Sequence, residues 1–345
     1  MGGNALKSGS VRLPAQRYRE IETEVLERLR REFPAKKMEA VAYIANKVDF
    51  GDLDILIQGG EGYDPAKAAA SLGSVETVFN GDVTSLGYPL EEGTFQVDLI
   101  KTPIDSFEFA SRYFGFNDFG NLVGRVAHKF GAKFGHLGLL YPMRDPDSNS
   151  HMIAELEITA DFSEALALLG YDPYLYAEMR SNNGFRTLED VFNYVVMSPY
   201  VNRDIYLLEN RSHIARTRDA KRPTYNAFLK WLEEKTEGSI PAFPWAPGGS
   251  PERTGQKQAF LDMAMAKFPA FRESHTHALA NLAKKKLVRK RFNGDRAALV
   301  TGASGKNLGR IMSQVRESFA DDESFDQFFM SASESAVDEK FRQFL

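Results

Sequence analysis

The chain has no cysteine among its 345 residues, which excludes disulfides and thiolate metal sites and fits a reducing compartment. It has no apolar run as long as a membrane span, and its opening "MGGNALKSGS" lacks the apolar core of a secretory signal. No membrane partner and a cytoplasmic location are therefore expected. Internal repeats and low-complexity tracts are also missing. Net charge is only −4, so no single-sign field dominates the whole molecule. A hydrophobic content of 43% does support packed cores, and the length exceeds a usual single domain, so two or three domains are expected.

The two signs nearly cancel in total but are unevenly placed. Residues 252–316 carry 14 Lys plus Arg against 4 Asp plus Glu, and residues 317–345 reverse this with 8 acids against 2 bases. The basic block reads as a face for a polyanion, with Lys284, Lys285, Arg289, Lys290 and Arg291 on one helix and Lys306 at the start of another. The competing reading is that these bases pair with the acidic tail. The proline- and glycine-rich stretch 237–255 reads as a linker or long loop. It divides the chain into an expected first domain over 1–150, a mainly helical middle domain over 151–236 and a basic helical domain over 256–345.

Periodicity supplies the elements of the first domain. Ile21, Val25, Leu26 and Leu29 recur at helical spacing and predict a helix over 15–33, stopped by Pro34. "MEAVAYIAN" (38–46) and "DLDILIQ" (52–58) read as strands. "DPAKAAASLG" predicts a short helix with Asp64 as N-cap, Pro65 at the first helical position and Gly73 at its end. "VTSLGYPL" and "TFQVDLIKT", joined through Glu91-Glu92-Gly93, predict a hairpin. Together these give an α+β fold, with a mixed-sheet domain followed by largely helical ones.

The stretch "VDFGDLDILIQ" places Asp52 and Asp54 at i and i+2 on a strand, hence on one face, with Leu53, Ile55 and Ile57 on the other. Two anions that close repel unless a proton, a basic group or a cation stands between them. Asp98 lies in the middle of the later strand among Val97, Leu99 and Ile100, where a lone carboxylate is costly unless paired or metal-bound. Hard oxygen ligands of this kind suit Mg²⁺ or Mn²⁺. Lys47, on the turn before the doublet, could meet a phosphate. "FGNLVGRVAHKFGAKFGHLGLLYP" offers Arg125 and Lys129 for phosphate as well, while His128 and His136 fit a structural role better than a metal site. A second basic cluster, Arg211, Arg216, Arg218, Lys221 and Arg222, precedes Tyr225, Phe228 and Trp231. That aromatic spacing favours a buried stripe over a base-stacking surface.

The "GDLD" doublet on one strand followed by a single Asp in a later hairpin strand resembles the polymerase-β-type nucleotidyltransferases. "MGGNALK", "GDLDIL", "VDLI" and "GKNLG" are similar to segments of predicted nucleotidyltransferases of bacteriophages and large viruses. For a viral protein the expected compartment is the host cytoplasm. The resemblance implies a two-metal Mg²⁺ or Mn²⁺ site on Asp52, Asp54 and Asp98, with Asp98 as proton acceptor and a nucleoside triphosphate as substrate. It implies transfer of a nucleoside monophosphate to a hydroxyl. For the acceptor, the basic third domain favours a nucleic-acid 3′ end, with RNA, tRNA included, ahead of DNA. A protein or small-molecule hydroxyl is the alternative acceptor, and a silent nucleic-acid-binding protein the alternative to an enzyme. The family grips triphosphate with a Gly-Ser pair before the doublet. This chain has "AYIANKVDFG" there, so Asn46, Lys47, Gly51 or the Gly2-Gly3-Asn4 segment would have to take its place.

Overall fold

The computed structural model describes residues 3–145, 147–181, 184–236 and 238–345, and for 148–150 the backbone alone. Helix α1 (Ala15–Glu32) buries Tyr18, Ile21, Val25, Leu26 and Leu29, the stripe set by its spacing. Strand β1 (Met38–Ala40) pairs antiparallel with β2 (Asp52–Gln58). The expected strand over 38–46 is thus cut short. Val41 N–H still reaches the Asp54 carbonyl, but Ala45 and Asn46 give their N–H groups to Phe185 and Arg186 instead of to the sheet. Helix α2 (Pro65–Leu72) begins where the Asp64 side chain accepts from Ala66 N–H and ends at Gly73, whose φ of 63° suits glycine.

Strands β3 (Thr77–Asn80), β4 (Val83–Leu90) and β5 (Gly93–Thr102) complete a five-stranded sheet of order β1-β2-β5-β4-β3. Only β2 and β5 run parallel, so the sheet is mixed and the fold is α+β. Its two faces have separate fates. Leu53, Ile55, Ile57, Val97 and Leu99 join α1 and α2 in one core. On the opposite face, Leu56 and Ile100 pack on Phe107 and Ala110 of α3 (Phe107–Phe114). Asp52, Asp54 and Asp98 alternate onto this second face.

Beyond α3 come α4 (Phe119–Phe130), a three-stranded sheet of β6 (Lys133–Gly135), β7 (Gly138–Asp145) and β8 (Ser148–Thr159), and helices α5 (Phe162–Leu168), α6 (Pro173–Ser181) and α7 (Leu188–Val195). Thr187 and Asp190 form a capping box on α7. Helices α8 (His213–Asp219), α9 (Pro223–Glu233) and α10 (Pro251–Lys267) follow. Tyr225 and Phe228 of α9 are fully buried, as their spacing suggests.

The chain folds into two compact units. One contains residues 3–142 and 157–268 with the mixed sheet; the other contains residues 143–156 and 269–345. The sequence suggests three segments, but the middle one belongs to the sheet's own unit, and so does α10. Phe260 of α10 stacks on Phe130 at 4.4 Å between ring centres, and Arg253 donates to the Lys129 carbonyl. The second unit adds α11 (Pro269–Arg291), α12 (Gly294–Thr301), α13 (Gly305–Glu317), α14 (Asp322–Ser331) and α15 (Glu334–Arg342). These close around Val288, Ile311, Val315, Phe325, Phe329, Val337 and Phe341. No helix among the described residues is long and apolar enough to cross a membrane.

Candidate active site

Parallel pairing of β2 with β5 sets Asp54 directly opposite Asp98 and Asp52 opposite Gln96. One carboxylate oxygen from each of Asp52, Asp54 and Asp98 lies within 4.8 Å of the other two. The sequence puts the first two on one face by their spacing; the register brings in the third. Asp98 accepts from Gln96 Nε2 at 2.8 and 3.0 Å, and the Ser85 hydroxyl of β4 helps hold it. Asp52 accepts from the Gly3 N–H at 3.0 Å. Asp54, the most deeply buried, has its carboxyl pushed up to about 8, first by loss of solvent and then by the charges of Asp52 and Asp98. Burial raises Asp52 and Asp98 as well. Three half-buried carboxylates with oxygens this close are a donor set of the kind that hard divalent cations take.

With Asp98 next to them on the neighbouring strand, Asp52 and Asp54 line a cleft of about 1340 Å³. Lys47 lines it, its ammonium 4.3 Å from the centre of the Phe50 ring and lowered from its usual range by burial, against the pull of Asp52 and Asp54. Tyr18 also lines the cleft and stacks on Phe50, 3.7 Å between ring centres. Gly51 also lines the cleft. Its helical side is cationic: α8, the turn after it and the start of α9 contribute Arg218, Lys221 and Arg222 together with Thr217, Ile214 and Thr224. Arg222 pairs with Asp118 and Arg218 with Asp219, whereas Lys221 has no acidic partner among the described residues. Asn117, which lines the cleft, and the buried Phe116 before it both have positive φ (64° and 56°), rare for a residue as bulky as Phe. The Phe116 N–H on the Ala42 carbonyl and its ring against Phe185 hold that turn in place.

Other residues singled out in the sequence lie elsewhere. Arg125 does not face the cleft. It is buried, gives Nε and Nη2 to the Ile205 carbonyl, and is lowered to about 10 by burial and by Arg211. Lys129 and the exposed Asn46 are not among the residues lining the cleft, and Gly2 lies outside the described residues. The ring of His136 stacks against Phe114. Of the second basic cluster, Arg211 is consumed by a fully buried ion pair with Asp219 at 2.6 Å.

The basic block divides in the same way. Arg291, expected to touch nucleic acid, is buried and donates to the carbonyls of Phe329, Met330 and Ala332, capping the end of α14. Lys284 pairs with Asp326 at 3.3 Å, Lys286 with Asp145 and Asp147, and Arg296 with Glu334 and Asp338. Lys285, Arg289, Lys290 and Lys306 are exposed, with no acidic partner among the described residues. Gly302 and Gly305 serve different helices, the first ending α12 and the second opening α13.

No protein-family model and no curated protein matches the chain.

Proposed function

We propose that this protein is a metal-dependent nucleotidyltransferase. It would move a nucleoside monophosphate from a nucleoside triphosphate to a hydroxyl, with an RNA 3′ end as the favoured acceptor. The observation that carries this reading is the gathering of opposite charges in one cleft: Asp52 and Asp54, with Asp98 beside them on the sheet, and Arg218, Lys221 and Arg222 from the helical side. A triphosphate needs both, cations for its non-bridging oxygens and carboxylates for the divalent ions it carries.

Mg²⁺ or Mn²⁺ held by the three carboxylates would supply charge neutralisation at the phosphates and the leaving pyrophosphate. The chain's own residues do the rest. Lys221 and Arg218 hold the β- and γ-phosphates, replacing the Gly-Ser grip that the sequence lacks, and Lys47 approaches from the sheet side. Tyr18, Val41 and the exposed Ile214 give the nucleoside apolar contact. The acceptor oxygen attacks the α-phosphorus as the bond to the pyrophosphate oxygen breaks, and its proton passes to Asp98. Burial lifts that carboxylate above its ordinary range and makes it a stronger base, while Gln96 and Ser85 fix its direction. Positioning and electrostatics are the main demands of such transfers.

The acceptor has two readings. Exposed Lys285, Arg289, Lys290 and Lys306 favour a nucleic-acid backbone, while the ion pairs that use up Lys284, Lys286 and Arg296 favour a smaller footprint, such as a protein or small-molecule hydroxyl. One experiment addresses both. The protein is incubated with each of the four α-labelled nucleoside triphosphates, with Mg²⁺ or Mn²⁺, and with RNA, DNA or protein. Label is expected in RNA with wild type and absent with Asp54→Asn. Label that never leaves the triphosphate with any acceptor or metal would overturn the reading in favour of a silent binding protein.

A further inference from the structure

The segment from Gly3 to Ser10 runs as an arm along the sheet, and its backbone is tied down at both ends. At the inner end, Gly3 N–H donates to Asp52 Oδ2 at 3.0 Å. Two residues on, Ala5 N–H donates to Gln96 Oε1 at 2.8 Å, and the amide nitrogen of the same Gln96 grips both oxygens of Asp98. The Ser10 hydroxyl donates to the Gly51 carbonyl at 2.8 Å and accepts from Gln96 N–H at 3.0 Å, stitching the start of β2 to β5. At the outer end, Lys7 N–H, Ser8 N–H and the Ser8 hydroxyl all converge on the Glu76 carboxylate, at 2.7, 3.0 and 2.7 Å, and Leu6 between the two ends is buried.

These bonds decide what the arm can do. The N–H groups of Gly3, Ala5, Lys7 and Ser8 are already spent on Asp52, Gln96 and Glu76, so phosphate binding by these groups is disfavoured. Two of the three site carboxylates, by contrast, take their orientation from it, Asp52 directly and Asp98 through Gln96. Glycine at position 3 is demanded twice: its φ is +84°, and a Cβ there would land on the Gly51 carbonyl and press on Ser10. The backbone must come this close for its N–H to reach Asp52.

We infer that the Gly3–Ser10 arm is a positioning element for the acidic site, setting the rotamers of Asp52 and Asp98 for a divalent cation, with Gly3 and Gln96 as its positioning residues. This inference rests on the metal-dependent reading above. A carboxylate lacking its outer partner must be ordered when the ion binds, and partners of this kind are worth about 10- to 100-fold in metal affinity. Glu76 extends the idea away from the site: it is half-buried, and among the described residues its carboxylate hydrogen-bonds only to Lys7 and Ser8, so removing that carboxylate acts on the site through the arm.

The test is a calorimetric Mn²⁺ titration of the full chain, wild type against Gly3→Ala, Gln96→Met and Glu76→Ala, with thermal melting to verify folding and nucleotide KM and kcat measured alongside. Wild type is expected to bind Mn²⁺. Gly3→Ala and Gln96→Met should bind it about tenfold or more weakly, and Glu76→Ala by a smaller factor in the same direction. Their kcat should fall while nucleotide KM stays near wild type. Should Gly3→Ala not fold, Gln96→Met and Glu76→Ala decide alone. Mn²⁺ affinity unchanged in folded Gln96→Met and Glu76→Ala, or a rise in nucleotide KM with kcat intact, overturns the arm's role and leaves the metal site standing. A wild-type protein that binds no Mn²⁺ overturns the metal-dependent reading itself.

Discussion

At the scale of single residues, Asp54 has the largest consequence. Its carboxyl, raised to about 8 in the folded metal-free protein, holds a proton that the unfolded chain gives up above about pH 4. Its contribution to stability is therefore complete below the unfolded value, shrinks as pH climbs between the two, and is gone above the folded one. A divalent cation takes the proton's place, so Mn²⁺ should raise the melting temperature little near about pH 5 and much more near about pH 9. Asp54→Asn should flatten both the metal-free decline and the metal-induced rise; equal Mn²⁺ shifts at the two pH values in wild type would contradict this assignment. Lys221, exposed on the helical side of the cleft without an acidic partner among the described residues, is the complementary case. Lys221→Ala should raise nucleotide KM by about tenfold, roughly 1.4 kcal/mol, with kcat nearly unchanged, because a ground-state phosphate contact is lost. Steady-state kinetics with the accepted triphosphate would check it.

At the scale of elements, the cationic wall depends on a buried pair. Arg211 and Asp219 bracket α8, and Arg211 also donates to the Tyr225 hydroxyl of α9, which itself donates to the Tyr206 carbonyl. Asp219→Ala would leave Arg211 charged and buried without its partner, and should cost about 3–5 kcal/mol in chemical denaturation. Removing the exposed Arg216 should cost almost nothing. The same elements mark how far local sequence carries. Helices α1 and α2 and the β4–β5 hairpin are legible because their determinants are close neighbours: a 3.6-residue stripe, an Asp-Pro start, a Glu-Glu-Gly turn. The doublet on β2 is legible for the same reason, since alternation alone puts Asp52 and Asp54 on one face. The cationic side is not, because Arg218, Lys221 and Arg222 meet the acids only once α8 and α9 have packed. Nor does a run of bases disclose that Arg291 caps α14 while Arg289, two positions earlier, faces water. Burial and the carbonyls of a distant helix sort them.

At the scale of the whole molecule, part of the basic excess of residues 252–316 is matched within the second unit, where Lys284, Lys286, Arg291, Arg296 and Arg316 have acidic partners, while Lys285, Arg289, Lys290 and Lys306 stay exposed. Replacing Lys285, Arg289 and Lys306 by Ala should make the salt dependence of RNA binding shallower, by about 0.7 in log–log slope per lost phosphate contact. Filter binding at several salt concentrations measures this, and a mutant slope equal to wild type would remove RNA as the partner of this face. Replacing Lys284 or Arg296 should instead loosen the α11–α15 core. The parallel register of β2 and β5 has a kinetic consequence as well. Asp54 and Asp98 become neighbours only after the chain has passed through α2 and the β3–β4 hairpin and returned, a non-local closure that must precede any cation binding. Divalent ions would then find no template in the unfolded chain and act only on the assembled sheet. In stopped-flow measurements they should slow unfolding and leave the folding rate where it was, so that metal determines how long the protein survives and not how quickly it forms.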